Sequence, residues 1–329
     1  MRKSAKRAAG SHFLSNIEVK AIKTAFLFSG QGAQYSGMMR DIAERHTAAK
    51  EVFDIADKTL GRSIGKLCFE GAQDDLNLTH NTQPCVLAAD LAAYKALEAS
   101  GITPEAVAGF SLGEYAALVA AGVIDMNDVF SLIQKRADLM QDAVPIGKGA
   151  MAAVMKLPAG EVRALCEEVE GYVVPANYNC PGQTVVSGEA DAVDRLCELA
   201  REKKIRAMKL PVSAPFHCDM MRPAAENLKE PLRKTLFSPP GIPVYMNVDA
   251  GRETNPDIIR EKLIAQTRSP VRWEETLRNM AGDGVDTFIE VGPGKTLSGF
   301  VKKTLKDGVQ VFNVTDADTL DAVIGAWRE

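Results

Sequence analysis

The stretch that most constrains the fold of this chain is GFSLG at residues 109–113, which matches the pattern G-x-S-x-G. This pattern is typical of a nucleophile elbow, a strained turn from a strand into a helix that lifts a serine hydroxyl clear of the sheet. The surroundings fit, since Ala106 to Ala108 can form a short buried strand and an alanine-rich run continues to Ala121. The sequence therefore predicts an α/β fold with Ser111 as the candidate nucleophile; the alternative is a tight turn with an idle serine.

The composition excludes several classes of protein. The net charge of -4 and the isoelectric point near 5.8 argue against a dedicated nucleic-acid binder, which needs excess lysine and arginine to neutralise phosphates. No apolar run approaches the roughly 20 residues that span a bilayer, so we expect no membrane insertion. The six cysteines form no C-x-x-C pair, which argues against a zinc ribbon or a redox site and favours a reducing, cytoplasmic location.

The first twenty residues carry five basic side chains and one acidic side chain, and they lack the long apolar core of a secretory signal. We interpret residues 1–20 as a basic, disordered extension outside the fold. An organelle transit peptide is the alternative.

The remaining pattern predicts one main domain in two segments, residues 21–147 and 213–329. Strands alternate with helices in both segments, which indicates one mostly parallel sheet. The first strand runs into a glycine turn at Gly30, and a later strand runs into a second glycine turn at Gly292. We expect both turns and the elbow to lie at the carboxyl edge of that sheet, where α/β proteins bind ligands. The helical region at 48–99 is predicted to be broken by glycines, among them Gly65, and by the polar stretch 77–83.

Between these segments, residues 148–212 predict a separate unit. Its elements follow the order βαββαβ, with predicted strands at 150–157, 172–177, 183–187 and 205–210 and helices at 158–169 and 191–203. This order is the ferredoxin-like arrangement. We therefore predict an inserted ferredoxin-like subdomain.

Ser111 needs a base at neutral pH, and the chain has only four histidines. His12 lies in the basic extension, His46 ends a polar helix, and His80 lies in a polar stretch. His217 remains, and it follows the serine in chain order as the base does in α/β hydrolases. The alternative is a hydrogen-bonded histidine at an interface.

The other parts of such a site are less complete. No aspartate or glutamate between Ser111 and His217 stands out as the third member of a triad, so the simple hydrolase interpretation has a gap. The oxyanion hole requires two N–H donors. Leu112, which follows the nucleophile, supplies one, and the glycine turn at Gln31 can supply the other.

Six motifs occur together in the order found in malonyl-CoA:acyl carrier protein transacylases, and the chain resembles that family from about Thr24 to Phe312. They are GQGAQ at 30–34, GFSLGE at 109–114, QKRADLMQ at 134–141, NCPGQ at 179–183, VSAPFHC at 212–218 and EVGPG at 290–294. The resemblance implies an α/β-hydrolase-like main domain with a ferredoxin-like insert, in agreement with the pattern above.

The resemblance also implies roles for individual residues. Ser111 becomes the nucleophile, His217 the base, and the N–H groups of Gln31 and Leu112 the oxyanion hole. Two further residues match family positions. Gln266 matches the glutamine that orients the histidine through its carbonyl, and Arg136 matches the arginine that pairs with the malonyl carboxylate; a guanidinium suits this role because it binds a carboxylate through two parallel hydrogen bonds.

Two residues depart from the family pattern. Phe110 stands where the family commonly has histidine before the serine, and we expect activity to survive this change. Phe216 stands before the base where serine is frequent. The Phe216-His217 pair resembles the malonyl-selective form of related polyketide acyltransferase domains, in which the ring crowds out an α-methyl group. We therefore expect malonyl to be preferred over methylmalonyl.

The expected function is a ping-pong acyl transfer in fatty acid biosynthesis. Malonyl moves from CoA to Ser111 and then to the phosphopantetheine thiol of acyl carrier protein, with no metal or bound cofactor required. We expect a monomer that docks the acidic carrier through basic side chains of the insert, for which the candidates are Lys203, Lys204, Arg206 and Lys209. Three alternatives remain open: an acyltransferase acting in trans in a polyketide pathway, a serine thioesterase or esterase, and a non-catalytic acyl-carrier-binding scaffold.

Overall fold

The computed structural model describes residues 24–212 and 214–328. The predicted extension at 1–20 and the predicted start of the first strand lie outside the described residues. The strands are β1 (Thr24–Phe28), β2 (Ala106–Gly109), β3 (Gly149–Met155), β4 (Val173–Cys180), β5 (Gln183–Glu189), β6 (Arg206–Lys209), β7 (Val244–Tyr245), β8 (Arg252–Glu253), β9 (Thr287–Val291) and β10 (Gln310–Val314). The α-helices are α1 (Arg40–Arg45), α2 (Thr47–Leu60), α3 (Ile64–Glu70), α4 (Gln73–Leu76), α5 (Thr79–Ala99), α6 (Gly113–Ala120), α7 (Met126–Asp142), α8 (Ala159–Glu167), α9 (Ala190–Glu202), α10 (Arg222–Lys234), α11 (Pro256–Gln266), α12 (Trp273–Gly282), α13 (Thr296–Leu305) and α14 (Ala317–Arg328), and a 3₁₀ turn spans Asp219–Met221.

The main sheet has six strands in the order β10-β9-β1-β2-β7-β8. All neighbours are parallel except β7 and β8, which are antiparallel. Phe28 at the end of β1 is level with Gly109 on one side and with Val291 on the other. The turns that follow these three strands therefore meet at one edge, and the prediction that the elbow and both glycine turns lie at the carboxyl edge is confirmed.

The two faces of this sheet are buried by different helices, and the side chains of β1 point alternately to one face and to the other. Phe26 and Phe28 point into a core formed with α2, α5, α6 and α7. Ala25 and Leu27 point to the other face, where α12 and α13 pack. The alternation follows the period of two in a strand, and it explains why β1 reads as an unbroken apolar run.

The elbow requires glycine for steric reasons. A Cβ atom on Gly109 would lie 1.9 Å from the backbone carbon of Gly113, a distance that no side chain can tolerate. The close approach lets β2 turn directly into α6, and this turn places Ser111 at the top of the sheet.

The second sheet has four antiparallel strands in the order β4-β5-β3-β6. Helices α8 and α9 pack on one face of this sheet around a small apolar core. The order and the connections are those of a ferredoxin-like unit, as predicted. The boundaries at 147/148 and 212/213 stay predictions.

One expectation from the pattern was wrong and another was only partly right. Helix α3 runs through Gly65, so this glycine does not break the helical region. The polar stretch does break it, at Asn77 and Leu78 between α4 and α5, but residues 79–83 belong to α5. Most of the polar side chains at the start of α5 are buried. They form hydrogen bonds within the protein instead of with water; for example, the Thr82 hydroxyl donates to the carbonyl of Leu76 at 2.6 Å. Strand β10 and helix α14 had no counterpart in the sequence analysis.

None of the helices in the described part of the chain is long and apolar enough to cross a bilayer. Within residues 24–212 and 214–328, no three histidine, cysteine, aspartate or glutamate side chains form a group that could hold a metal ion.

Candidate active site

The elbow holds Ser111 in a strained conformation. Its φ angle is 54°, in the left-handed region that side chains other than glycine rarely adopt. The side chain of Asn247, just beyond β7, stabilises this turn: its Oδ1 accepts the Ser111 N–H at 2.8 Å and its Nδ2 donates to the Gly109 carbonyl at 2.8 Å. The segment that follows a neighbouring strand thus fixes the geometry of the elbow. Such strain is typical of functional sites.

Ser111 and His217 are brought together across the site. The Ser111 Oγ lies 2.7 Å from the Nε2 of His217, and the Nδ1 of His217 lies 2.9 Å from the backbone carbonyl oxygen of Gln266. A carbonyl only accepts hydrogen bonds, so Nδ1 carries the proton and Nε2 is free to accept from the serine. Gln266, at the end of α11, therefore occupies the place that a carboxylate takes in a triad.

The electrostatic setting keeps the imidazole neutral. Burial and, to a lesser extent, the positive charge of Arg136 lower the pKa of His217 to about 4, against the opposing effect of hydrogen bonds to the backbone. A neutral imidazole with a free Nε2 is the form that can take a proton from a hydroxyl.

Arg136 projects from α7 into the same site and is only 1% exposed. Its Nη2 donates to the Ser111 Oγ at 3.1 Å and to the Oε1 of Gln266 at 2.9 Å, while its Nη1 donates to the Oε1 of Gln83 at 2.6 Å. Burial lowers the pKa of Arg136, yet a guanidinium stays protonated at neutral pH. A fixed positive charge therefore lies beside the serine hydroxyl.

The two candidate oxyanion-hole residues lie on adjacent turns at the site. Gln31 follows β1 and Leu112 precedes α6, and both residues line the same cavity as Ser111. Within the described residues neither N–H has a protein acceptor. Donors of this kind can hold the negative oxygen of a tetrahedral intermediate.

The cavity has a volume of about 250 Å³ and lies between the carboxyl edge of the main sheet and the ferredoxin-like sheet. Its floor holds Ser111, His217 and Arg136, and its wall includes Phe216, which is 6% exposed. The ring of Phe110 packs edge-on against Trp273 with centroids 5.3 Å apart. This aromatic packing explains how the position before the serine accommodates an apolar side chain.

Sequence reasoning missed three polar side chains of the site, namely Gln83, Glu114 and Asn247. Each is at most 1% exposed. Glu114 lies in one of the motifs that carried the resemblance, but its burial could not be read from the sequence. Gln83 lies in the stretch that was predicted to be a break.

The basic side chains proposed for carrier docking are partly neutralised. Lys203 pairs with Glu168, and Lys209 pairs with Asp194 at 2.6 Å. Lys204 and Arg206 are exposed. The carrier-docking role of this surface stays a prediction.

Comparison with known proteins places this geometry in context. Residues 25–328 match the model of the acyl transferase domain family. The malonyl CoA-acyl carrier protein transacylase of Bacillus subtilis is 45% identical over 311 residues, covering 93% of this chain and 98% of that protein. The crystal structure of an acyl carrier protein S-malonyltransferase from Vibrio cholerae has 44% identity and a TM-score of 0.88, covering 92% of this chain and 99% of that one. A malonyl-transacylase solved in complex with a type II PKS acyl-carrier protein has 38% identity and a TM-score of 0.89, covering 92% and 99%.

Proposed function

This chain belongs to the malonyl CoA-acyl carrier protein transacylase family, and we propose that it transfers malonyl from CoA to the phosphopantetheine thiol of acyl carrier protein. The observation that carries the proposal is the buried guanidinium of Arg136, 3.1 Å from the hydroxyl of a serine that is paired with a neutral histidine. A serine–histidine pair alone serves many acyl transfers. A fixed cation beside it selects an acyl group that carries its own carboxylate.

The first half-reaction loads the serine. Ser111 Oγ gives its proton to His217 Nε2 and attacks the thioester carbonyl carbon of malonyl-CoA. The N–H groups of Gln31 and Leu112 donate to the oxyanion. The carbon–sulfur bond then breaks, and the CoA sulfur takes the proton from His217.

The second half-reaction runs the same steps with a different sulfur. The phosphopantetheine thiol of the carrier gives its proton to His217, and its sulfur attacks the carbonyl carbon of malonyl-Ser111. The bond between that carbon and Oγ breaks, and Oγ recovers the proton. Transfer is favoured over hydrolysis where the bound acyl group and the phosphopantetheine arm fill the cavity and limit the access of water to the ester.

Acyl selection follows from two side chains. When Ser111 is acylated, Oγ becomes an ester oxygen, and the malonyl carboxylate lies within reach of the Arg136 guanidinium. The ring of Phe216 lines the same cavity, and its proposed role is to crowd out an α-methyl branch. We therefore propose malonyl as the preferred acyl group over both acetyl and methylmalonyl.

The setting of the reaction is also part of the proposal. All six cysteines are free thiols, which suits a reducing compartment such as the cytoplasm. The carrier of fatty acid biosynthesis is the proposed acceptor, and no metal or bound cofactor takes part in the steps above. A monomer remains the expected state.

A transfer assay tests the function. We expect the protein, incubated with malonyl-CoA and acyl carrier protein loaded with phosphopantetheine, to give a carrier whose intact mass has increased by one malonyl group. Free malonate without a malonylated carrier would indicate an esterase. The assay repeated with a polyketide carrier reports the preferred acceptor.

The pH dependence of serine reactivity tests the state of His217. p-Nitrophenyl acetate has no carboxylate for Arg136, so its reaction with Ser111 reports the serine–histidine pair by itself. Because only neutral imidazole accepts the proton and its pKa is lowered to about 4, we expect the rate of p-nitrophenol release to hold as pH falls through 6.5 and to decrease only near pH 4. A decrease centred at the ordinary histidine pKa of about 6.5 would contradict this assignment. The His217→Ala variant, which lacks the titrating ring, should show no decrease in rate near pH 4.

A further inference from the structure

Glu114 is a buried carboxylate to which the mechanism above gives no role. It lies in the first turn of α6 and is fully buried. Its Oε1 accepts the backbone N–H of Asn247, and its Oε2 accepts the side-chain Nε2 of Gln266 at 2.6 Å. Within the described residues it forms no ion pair at salt-bridge distance. Burial raises the pKa of Glu114 to about 8, against the opposing effects of these two hydrogen bonds and of the Arg136 charge.

The position of Glu114 decides which way the amide of Gln266 can face. The Nε2 of Gln266 donates both to Glu114 and to the backbone carbonyl of Ser111, at 2.7 Å. Its Oε1, on the opposite side, accepts from Nη2 of Arg136 at 2.9 Å. In its ionised form Glu114 has acceptors only, so it cannot face the amide oxygen; with a pKa of about 8, this constraint applies in full above that pH. A rotated amide would also point its NH₂ group at the NH₂ groups of Arg136.

We propose that Glu114 is a positioning residue: by fixing the amide of Gln266, it makes Oε1 hold the Arg136 guanidinium in place for the carboxylate of the acyl group. The inference rests on the proposed function, since it assigns Glu114 to the selection of malonyl. The hydrogen bonds involved join three helices, with Glu114 on α6, Gln266 on α11 and Arg136 on α7.

Glu114 also supports the elbow, through a separate route. Its other oxygen holds the backbone of Asn247, whose side chain bonds both Ser111 and Gly109. Loss of the contacts through Asn247 slows acylation by every acyl donor equally, because all donors react with Ser111. Loss of the contacts through Gln266 slows acylation only by donors that carry a carboxylate. The two routes are therefore separable by comparing malonyl-CoA with acetyl-CoA.

The Glu114→Gln variant tests the proposal, because it keeps the size of the side chain while it replaces the second acceptor with a donor and removes the negative charge. Its amide must turn an oxygen to the Asn247 N–H, so its NH₂ group meets the NH₂ group of Gln266. Gln266 then rotates and presents a donor to Arg136. Above pH 8, where Glu114 of the wild type is ionised, we expect kcat/KM for Ser111 acylation by malonyl-CoA to fall about 10- to 100-fold more than kcat/KM for acylation by acetyl-CoA.

Two further variants serve as controls. Glu114→Asp keeps a side chain that only accepts hydrogen bonds, so it should retain more of the malonyl preference than Glu114→Gln. Asn247→Ala leaves the bond between Glu114 and Gln266 in place and should slow acylation by both donors to the same degree.

An equal loss for both donors in Glu114→Gln, or an unchanged ratio, would overturn the proposal. So would a loss of preference in Glu114→Asp as large as that in Glu114→Gln. If Glu114→Gln fails to fold, Gln266→Met takes its place with the same expected and overturning results, since it removes the bonds to Glu114 and Arg136 but keeps the carbonyl that holds His217. A wild-type protein that never gains a malonyl group contradicts the proposed function itself, which is a different outcome.

Discussion

Replacing Ser111 with alanine is expected to abolish formation of the malonyl-enzyme. The wild-type protein, mixed with malonyl-CoA and quenched, should gain the mass of one malonyl group on the peptide that contains residue 111. The variant should gain none, because among residues 24–212 and 214–328 the hydroxyl within hydrogen-bond distance of His217 Nε2 is that of Ser111. Removal of a nucleophile from a serine–histidine site typically lowers turnover by about 10⁶-fold. Intact-mass and peptide-level mass spectrometry measure both results.

Controls separate loss of the nucleophile from loss of the fold. Ser238→Ala changes an exposed serine that does not line the cavity, and it should load malonyl like the wild type. The unfolding temperature of Ser111→Ala shows whether the variant is folded, since the substitution leaves the buried Nε2 of His217 without its donor and Nη2 of Arg136 without one of its two acceptors. A malonyl adduct that persists in Ser111→Ala would assign the acyl group to another residue and refute the mechanism.

The parts of this site that could be predicted from the sequence are those determined by local backbone geometry. The elbow requires glycine at 109 because β2 and α6 approach too closely for a Cβ atom, and at 113 because the start of α6 lies against the backbone at the end of β1. The turn at Gln31 follows a strand in the same way. Since parallel strands end at one edge, two such turns are enough to place a site there before any contact is known.

The surroundings of Arg136 could not be predicted in that way, because its partners are distant in the sequence. Gln83, Ser111 and Gln266 are 53, 25 and 130 residues away. Without the family resemblance, an arginine on an amphipathic helix is expected to face solvent. The polar residues at the start of α5 were predicted to be a break for the same reason. The side chain of Gln83 is buried because its Oε1 accepts a hydrogen bond from Arg136, which lies on α7.

The backbone at both reacting residues is strained in the same sense. Ser111 has a φ angle of 54° and His217 one of 61°. Residues other than glycine adopt this region at a cost of about 1–3 kcal/mol, which the surrounding contacts must offset. At Ser111 those contacts come from Asn247, and at His217 from Gln266 and from the carbonyl of Thr267. The precision of the serine–histidine pair therefore depends on segments that lie far from the motifs in the sequence.

Arg136→Ala is expected to remove the preference for malonyl over acetyl. Truncating one partner of a buried, hydrogen-bonded charge pair typically costs about 2–5 kcal/mol, and at about 1.4 kcal/mol per factor of ten this is roughly a 30- to several-thousand-fold loss. That loss should fall on kcat/KM for malonyl-CoA. Acetyl-CoA has no carboxylate to bind, so its kcat/KM should change far less, and the ratio of the two constants measures the effect.

Two further substitutions, at positions 136 and 135, serve as controls for the malonyl-to-acetyl ratio. Arg136→Lys keeps a positive charge but loses the planar pair of donors, so its malonyl preference should lie between those of the wild type and the alanine variant. Lys135→Ala removes an exposed cation from the same turn of α7 and should leave the ratio unchanged. Arg136→Ala also deprives Gln83 and Gln266 of a donor, so its unfolding temperature must be measured alongside. A folded Arg136→Ala protein with the wild-type ratio would show that the carboxylate binds elsewhere in the cavity.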